Sequence, residues 1–161
     1  MSDETKTEPT VPIDLVQERE KPRLLSILFF DFYSETKEGK LNLLGIFDRL
    51  FVDPSRKRTM PIGIFVRTAQ AFGANIKCEI HSPEGIVTGG FNFMVPASAR
   101  LPDGTQPIQA QILARLEFNA PVDGTYWFAI SFAGQVLGGA PLVIQYKDPK
   151  ELEGEPTTGN A

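Results

Sequence analysis

Hydrophobic and polar side chains alternate with a period of two along much of this chain, the pattern of β-strands that bury one face. Between residues 74 and 81, Ala74, Ile76, Cys78 and Ile80 fall on one side and Asn75, Lys77, Glu79 and His81 on the other. Further on, Ile108, Ala110, Ile112, Ala114, Leu116 and Phe118 share a face against Gln109, Gln111, Arg115 and Glu117, and Tyr126, Phe128, Ile130 and Phe132 repeat the pattern. Turn-forming clusters separate these runs: Ser82-Pro83-Glu84-Gly85, Pro102-Asp103-Gly104, Asp123-Gly124 and Gly138-Gly139. The pattern predicts about eight strands, near 23–33, 40–51, 62–70, 74–81, 86–95, 108–119, 125–132 and 136–146. No segment sustains a 3.6-residue period. The expected fold is therefore all-β, an antiparallel β-sandwich that is immunoglobulin-like or of a related Greek-key type, with a closed barrel as the alternative.

Register follows from keeping apolar residues together, because a slip of one residue turns every side chain to the wrong face. Pairing Phe118 with Tyr126, Leu116 with Phe128 and Ala114 with Ile130 does this, and sets Trp127 on the outer face opposite Glu117, beside Arg115 and near Leu113. There Trp127 either packs on charged stems or serves a binding face. In the first hairpin, pairing Phe32 with Leu41, Phe30 with Leu43 and Leu28 with Gly45 gives one apolar face. The other face then carries Tyr33 with Lys40 and Asp31 with Asn42 near the turn, followed by Phe29 with Leu44 and Ile27 with Ile46. A second apolar face needs a cover, since contiguous apolar patches are unusual on soluble monomers. Val11, Ile13, Leu15 and Val16 of the leading segment could supply it by folding back. A second copy or a partner protein could also do so.

Charge divides the chain. Residues 1–21 hold six acidic and three basic side chains and residues 147–161 hold four and two, so of the net charge of −4 the span 22–146 keeps ten acidic and eleven basic residues. The two ends, poor in aromatics and rich in Glu, Thr, Pro and Lys, read as disordered acidic tails around one sandwich domain, 22–146. The start, Met1-Ser2-Asp3-Glu4, shows no basic, apolar export signal, and the longest apolar run, Leu24–Phe32, is broken by Ser26 and Asp31. A single cysteine fits a reducing compartment, so a soluble cytoplasmic protein is expected.

Candidate chemistry is sparse. Cys78 and His81 have an odd offset that sends them to opposite faces of an extended strand, and with one His and one Cys in the chain no metal site or catalytic triad is expected. Carboxylate pairs such as Glu35 with Glu38 and Glu117 with Asp123 sit in or beside turns, and the Gly89-Gly90, Gly134 and Gly138-Gly139 positions are not in a phosphate-cradling motif. No catalytic residue and no cofactor is assigned. Arg56-Lys57-Arg58, flanked in sequence by Arg49 and Arg67, is the candidate anion contact, although a near-neutral core and acidic ends disfavour nucleic acid. Two long connections, Asp53–Pro61 and Pro96–Pro107, are expected to project from opposite ends of the sandwich.

Gly39-Lys40-Leu41-Asn42-Leu43-Leu44-Gly45-Ile46-Phe47-Asp48-Arg49, following Phe29-Phe30-Asp31, resembles the N-terminal signature of an uncharacterised family of small bacterial β-sandwich proteins. Gly124-Thr125-Tyr126-Trp127-Phe128 and Gly139-Ala140-Pro141-Leu142-Val143-Ile144 resemble that family's closing hairpin, and the resemblance spans about residues 24–146. It implies the fold and a bacterial origin. That family has no assigned activity, so no functional residue is carried over.

These observations point to a non-catalytic protein-interaction or assembly module that binds a protein partner or itself and no membrane. The candidate interface is Ile27, Phe29, Leu44 and Ile46, with Trp127 as a further candidate. The alternative is a sandwich that binds a small ligand or carbohydrate through Trp127 and Tyr126.

Overall fold

A computed structural model describes residues 21–73, 75–96 and 109–147. Its nine strands are β1 (Arg23–Glu35), β2 (Leu41–Phe47), β3 (Arg49–Val52), β4 (Ile62–Ala69), β5 (Asn75–His81), β6 (Val87–Met94), β7 (Gln109–Leu116), β8 (Gly124–Phe132) and β9 (Gln135–Tyr146). They form two sheets, one of four strands in the order β2-β1-β4-β7 and one of five in the order β3-β9-β8-β5-β6. Neighbouring strands run antiparallel except β3, which runs parallel to β9. The sandwich is thus the fold that forms, and its two separate sheets rule out the closed barrel.

The alternation read from sequence builds the core directly. Ile76, Cys78 and Ile80 of β5, Tyr126, Phe128 and Ile130 of β8, and Leu142 and Ile144 of β9 face Ile62, Ile64 and Val66 of β4 and Ile112 of β7. Burying each such large side chain contributes on the order of 1.5–3 kcal/mol, which is what holds the two layers together.

Strand pairing departs from expectation at three places. The predicted strand 40–51 is two strands, because the chain leaves one sheet at Asp48 and joins the other, where the Val143 amide bonds the Asp48 carbonyl at 2.9 Å. Next, β7 does not pair with β8. Its partner is β4, with Leu116 opposite Ile62 and Ala114 opposite Ile64, while β8 lies between β9 and β5. The chain after β7 is instead drawn towards the connection that precedes β4. Phe118 and Thr59 exchange two hydrogen bonds of 3.1 Å, and the Ala120 amide donates to the Lys57 carbonyl. Two tyrosines hold the next turn: Tyr126 donates to the Val122 carbonyl at 2.8 Å and Tyr146 to the Ala120 carbonyl at 2.6 Å.

The third departure is in the first hairpin. Phe32 pairs with Leu44, Phe30 with Ile46 and Phe29 with Phe47, a shift of three residues from the expected register. The cause is the turn. Gly39 takes a left-handed conformation (φ 75°) and donates to the Thr36 carbonyl, while Thr36 and Lys40 close the loop, so Glu35 meets Leu41 directly. This is the geometry of a hairpin loop with glycine at its left-handed position. An odd shift exchanges the two faces of β2 relative to β1. The leading residues Val11, Ile13, Leu15 and Val16, both expected tails apart from Lys21 and Lys147, and residues 97–107 of the second long connection lie outside the described residues.

Candidate protein-interaction surface

The new register splits the predicted interface. Ile27 and Phe29 turn inward. Phe29 is buried in the core with its ring centroid 4.7 Å from that of Phe128, and Ile27 packs against the same cluster. Leu44 and Ile46 turn outward and meet Phe32 and Phe30, two side chains that the sequence-derived register had assigned to the opposite face from Leu44 and Ile46.

The outer face of the four-stranded sheet is apolar beyond the hairpin. One row reads Ile46, Phe30, Gly63 and Arg115, and the next reads Leu28, Phe65 and Leu113. Phe30 is only 1% exposed and Phe65 is buried, yet neither belongs to the central core, so they form a second apolar cluster on the outside of the sheet. Gly63 makes this possible: the Phe30 ring lies across it, and a Cβ there would overlap the ring. Tyr33 closes edge-on against Phe30, at 6.2 Å between centroids. The Arg115 guanidinium reaches the Asp31 carbonyl at 3.5 Å, bordering the cluster with charge.

This local cover ends where β1 outruns β4. The β4 ladder with β1 stops at Phe30 opposite Gly63, whereas β1 continues with β2 to Glu35 as a two-stranded extension. On its outer side Phe32 and Leu44 stand 66 and 56% exposed, and Ile46, beside them on β2 in the last row shared with β4, 58%. The turn at Gly39 was the signal for this set. Extending Glu35 against Leu41 would have placed Phe32 with Leu44.

Trp127 is exposed on the outer face of the other sheet, as expected of its alternation, but its neighbours are His81 of β5 and Pro141 of β9. Its indole lies over Gly139, where a Cβ would come within 2.6 Å of Nε1. The expected neighbours lie elsewhere: Arg115 and Leu113 are on β7 of the other sheet, and Glu117 follows directly after it. Tyr126 is fully buried, so it cannot join Trp127 at a ligand.

Cys78 and His81 lie on opposite faces as their offset requires. Burial pushes the Cys78 thiol up to about 12, which removes it as a nucleophile near neutral pH. Among the described residues no group of three His, Cys, Asp or Glu side chains could hold a metal ion.

The basic triplet is partly neutralised. Arg56 pairs with Asp53 at 3.7 Å and Arg58 with Glu117 at 2.9 Å. Asp53 also accepts from the Ser55 hydroxyl and amide, and these bonds hold its carboxyl below the usual carboxylate range. Arg56, Arg58, Thr59, Met60 and Glu117 surround a hollow of about 430 Å³. Arg67 lies farther along β4, bonded through Nε to Gln109 at 2.8 Å, so it does not join the cluster. Pro61 leads into β4 at Ile62, whereas β7 starts at Gln109 beside Ala69, so these two entry points stand at opposite ends of β4.

The architecture defines the class: an all-β sandwich of two mainly antiparallel sheets, in which Tyr126 makes the bond back to Val122 that immunoglobulin-type sandwiches make at their tyrosine corner. Among solved structures the chain is similar to an immunoglobulin-like protein from Pseudomonas aeruginosa, at 11% identity and a TM-score of 0.41 over 79% of this chain and 98% of that one. No protein-family model and no curated protein matches the chain, in accord with its resemblance to an uncharacterised family. Among the described residues no helix is long and apolar enough to cross a membrane.

Proposed function

We infer that this protein is a non-catalytic interaction module of the bacterial cytoplasm, which engages a partner protein through the outer side of its β1–β2 extension. The observation that carries this reading is the strip of Phe32, Leu44 and Ile46, three large apolar side chains more than half exposed on one side of a projecting hairpin. Contact surfaces are anchored by a few such side chains that become desolvated together. A buried cysteine with its pKa pushed up to about 12 and a histidine set against Trp127 offer little to a reaction, which favours binding over catalysis.

The test is capture of partners from a bacterial lysate by the full chain and by the double variant Leu44→Asp with Ile46→Asp, with light scattering of both proteins. A discrete partner, or a dimer, that the wild type forms and the variant loses supports the reading. Equal behaviour of the two proteins in both measurements overturns it. The exposed indole of Trp127 keeps a carbohydrate-binding reading in play. Quenching of its fluorescence by an oligosaccharide panel would favour that reading.

A further inference from the structure

The flank of the sandwich below the hairpin carries two unfinished sheet edges. The β1–β2 ladder ends at Phe29 opposite Phe47, so Arg23–Leu28 is paired on one side only, with β4, among the described residues. In the other sheet β3 accompanies β9 from Val143 to Tyr146, which leaves Gln135–Leu142 paired only with β8 among the described residues. The two edges lie together. A Cβ on Gly138 would sit 3.2 Å from the Leu24 side chain, and a groove of about 520 Å³ opens beside them, lined by Ile27, Phe29, Ile46, Phe47, Ala140 and Pro141. Bare backbone along an apolar edge is a template for another strand, and natural sheets shield such edges with charge, proline or a covering segment. The stretch Arg23-Leu24-Leu25-Ser26-Ile27-Leu28 has one charged residue and no proline.

We propose that Val11–Val16 of the same chain docks along the free edge of β1 as an additional antiparallel strand, closing this flank over the groove. Three features select this occupant. The segment stands directly before β1, and the six residues Gln17–Pro22 between them exceed the two to five that a hairpin loop needs. Its six residues span roughly 20 Å as a strand, the length of the six-residue edge it would cover. Its pattern also fits, because Val11, Ile13 and Leu15 would share the groove side while Asp14 faces water. Pro12, which has no amide proton to give a ladder, is tolerated on an outermost strand. The cover therefore goes to the flank and leaves Phe32 and Leu44 of the hairpin exposed, while Ile46 borders both the groove and the strip; docking is read at residues 11–16 themselves, whether or not a partner binds Phe32 and Leu44.

Hydrogen exchange on the full chain tests it. Amides of residues 11–16, and those of Ser26–Leu28 that point away from β4, are expected to exchange at least about tenfold more slowly than an unstructured peptide. Ile13→Asp with Leu15→Asp should abolish protection of residues 11–16 and of the Ser26–Leu28 amides that point away from β4, and leave the β4-bonded amides and Ile76–Ile80 in the core protected, while Asp14→Ala should change neither. Exchange of residues 11–16 at the unstructured rate in the wild type overturns the proposal. So does unchanged protection, in the double variant, of the Ser26–Leu28 amides that point away from β4. Protection that fades on dilution also overturns it, because the strand would then come from a second copy.

Discussion

The two outer faces of this sandwich are composed differently. On the five-stranded sheet the rows read Val87, His81, Trp127 and Pro141, then Gly90, Glu79, Ala129 and Gly139, then Asn92, Lys77, Ser131 and Val136. Small, polar and charged side chains fill the middle of that face, and its exposed apolar side chains, Val87, Met94, Val136 and the Trp127 indole over Gly139, are scattered among them rather than joined in one strip. The four-stranded sheet instead presents Ile46, Phe30, Leu28, Phe65 and Leu113 on its outer side. Antiparallel sheets commonly keep one face on the core and one in water, and the first face obeys that rule. The second face satisfies part of its apolar surface by itself, through Phe30 over Gly63, and leaves the hairpin part unsatisfied. That contrast gives the apolar strip its meaning, since a lone exposed leucine would need no explanation.

The comparison is tested hardest where inner and outer residues alternate on one strand. Phe29→Ala removes a ring from the core and is expected to cost about 3–5 kcal/mol, read from the denaturant midpoint. Leu44→Asp, on the outer strip, should stay within about 0.5 kcal/mol of wild type and act only on association. Equal loss of stability in both variants would mean that the register of the hairpin is the one predicted from sequence, with Leu44 and Phe29 on one face.

A smaller effect is expected at the outer cluster. Gly63→Ala sets a methyl group where the Phe30 ring lies, and the forced rearrangement should cost about 1–3 kcal/mol, as overpacking does in cores. Restoration of stability by combining it with Phe30→Leu would show that the clash is with this ring. A neutral Gly63→Ala would show that Phe30 is not held across β4, and the outer face would lose its second cluster.

Tyr126→Phe follows in size. It removes the 2.8 Å bond to the Val122 carbonyl, so a loss of about 1 kcal/mol is expected in thermal unfolding. The same tyrosine illustrates what the sequence makes legible. Strand faces are local properties, so Ile76, Cys78, Ile80, Tyr126, Phe128 and Ile130 could all be placed inside from alternation alone, and all are buried. Partners are not local. Ala114 and Leu116 present the same kind of apolar face to β4 as they would to β8, and the pairing with β4 goes with hydrogen bonds between the segment that joins β7 to β8 and Thr59, Lys57, Tyr126 and Tyr146. Those bonds depend on residues up to 59 positions apart, which no short window reveals. The candidate surface was half legible for the same reason. That a hairpin with two apolar faces exists follows from composition, but which residues share each face depends on how the Gly39 turn closes.

The smallest effect is expected on the polar face. Lys77 bonds Glu79 at 2.7 Å along the same side of β5, and that bond is the main reason the Glu79 carboxyl sits below the usual carboxylate range. A carboxyl held low in the folded state contributes stability above its unfolded pKa and loses it as pH falls through the lowered folded value. Lys77→Met should therefore raise the midpoint of the Glu79 titration followed by NMR, and leave the melting temperature at neutral pH unchanged, because exposed pairs contribute little. It also replaces a charge with an apolar stem on the face that the comparison treats as water-ready. If the variant stays monodisperse, the small and polar residues of that face are sufficient to keep it in water. If it associates, one lysine accounts for the contrast between the two faces, and the apolar strip on the hairpin would then differ from the other sheet by a single charge.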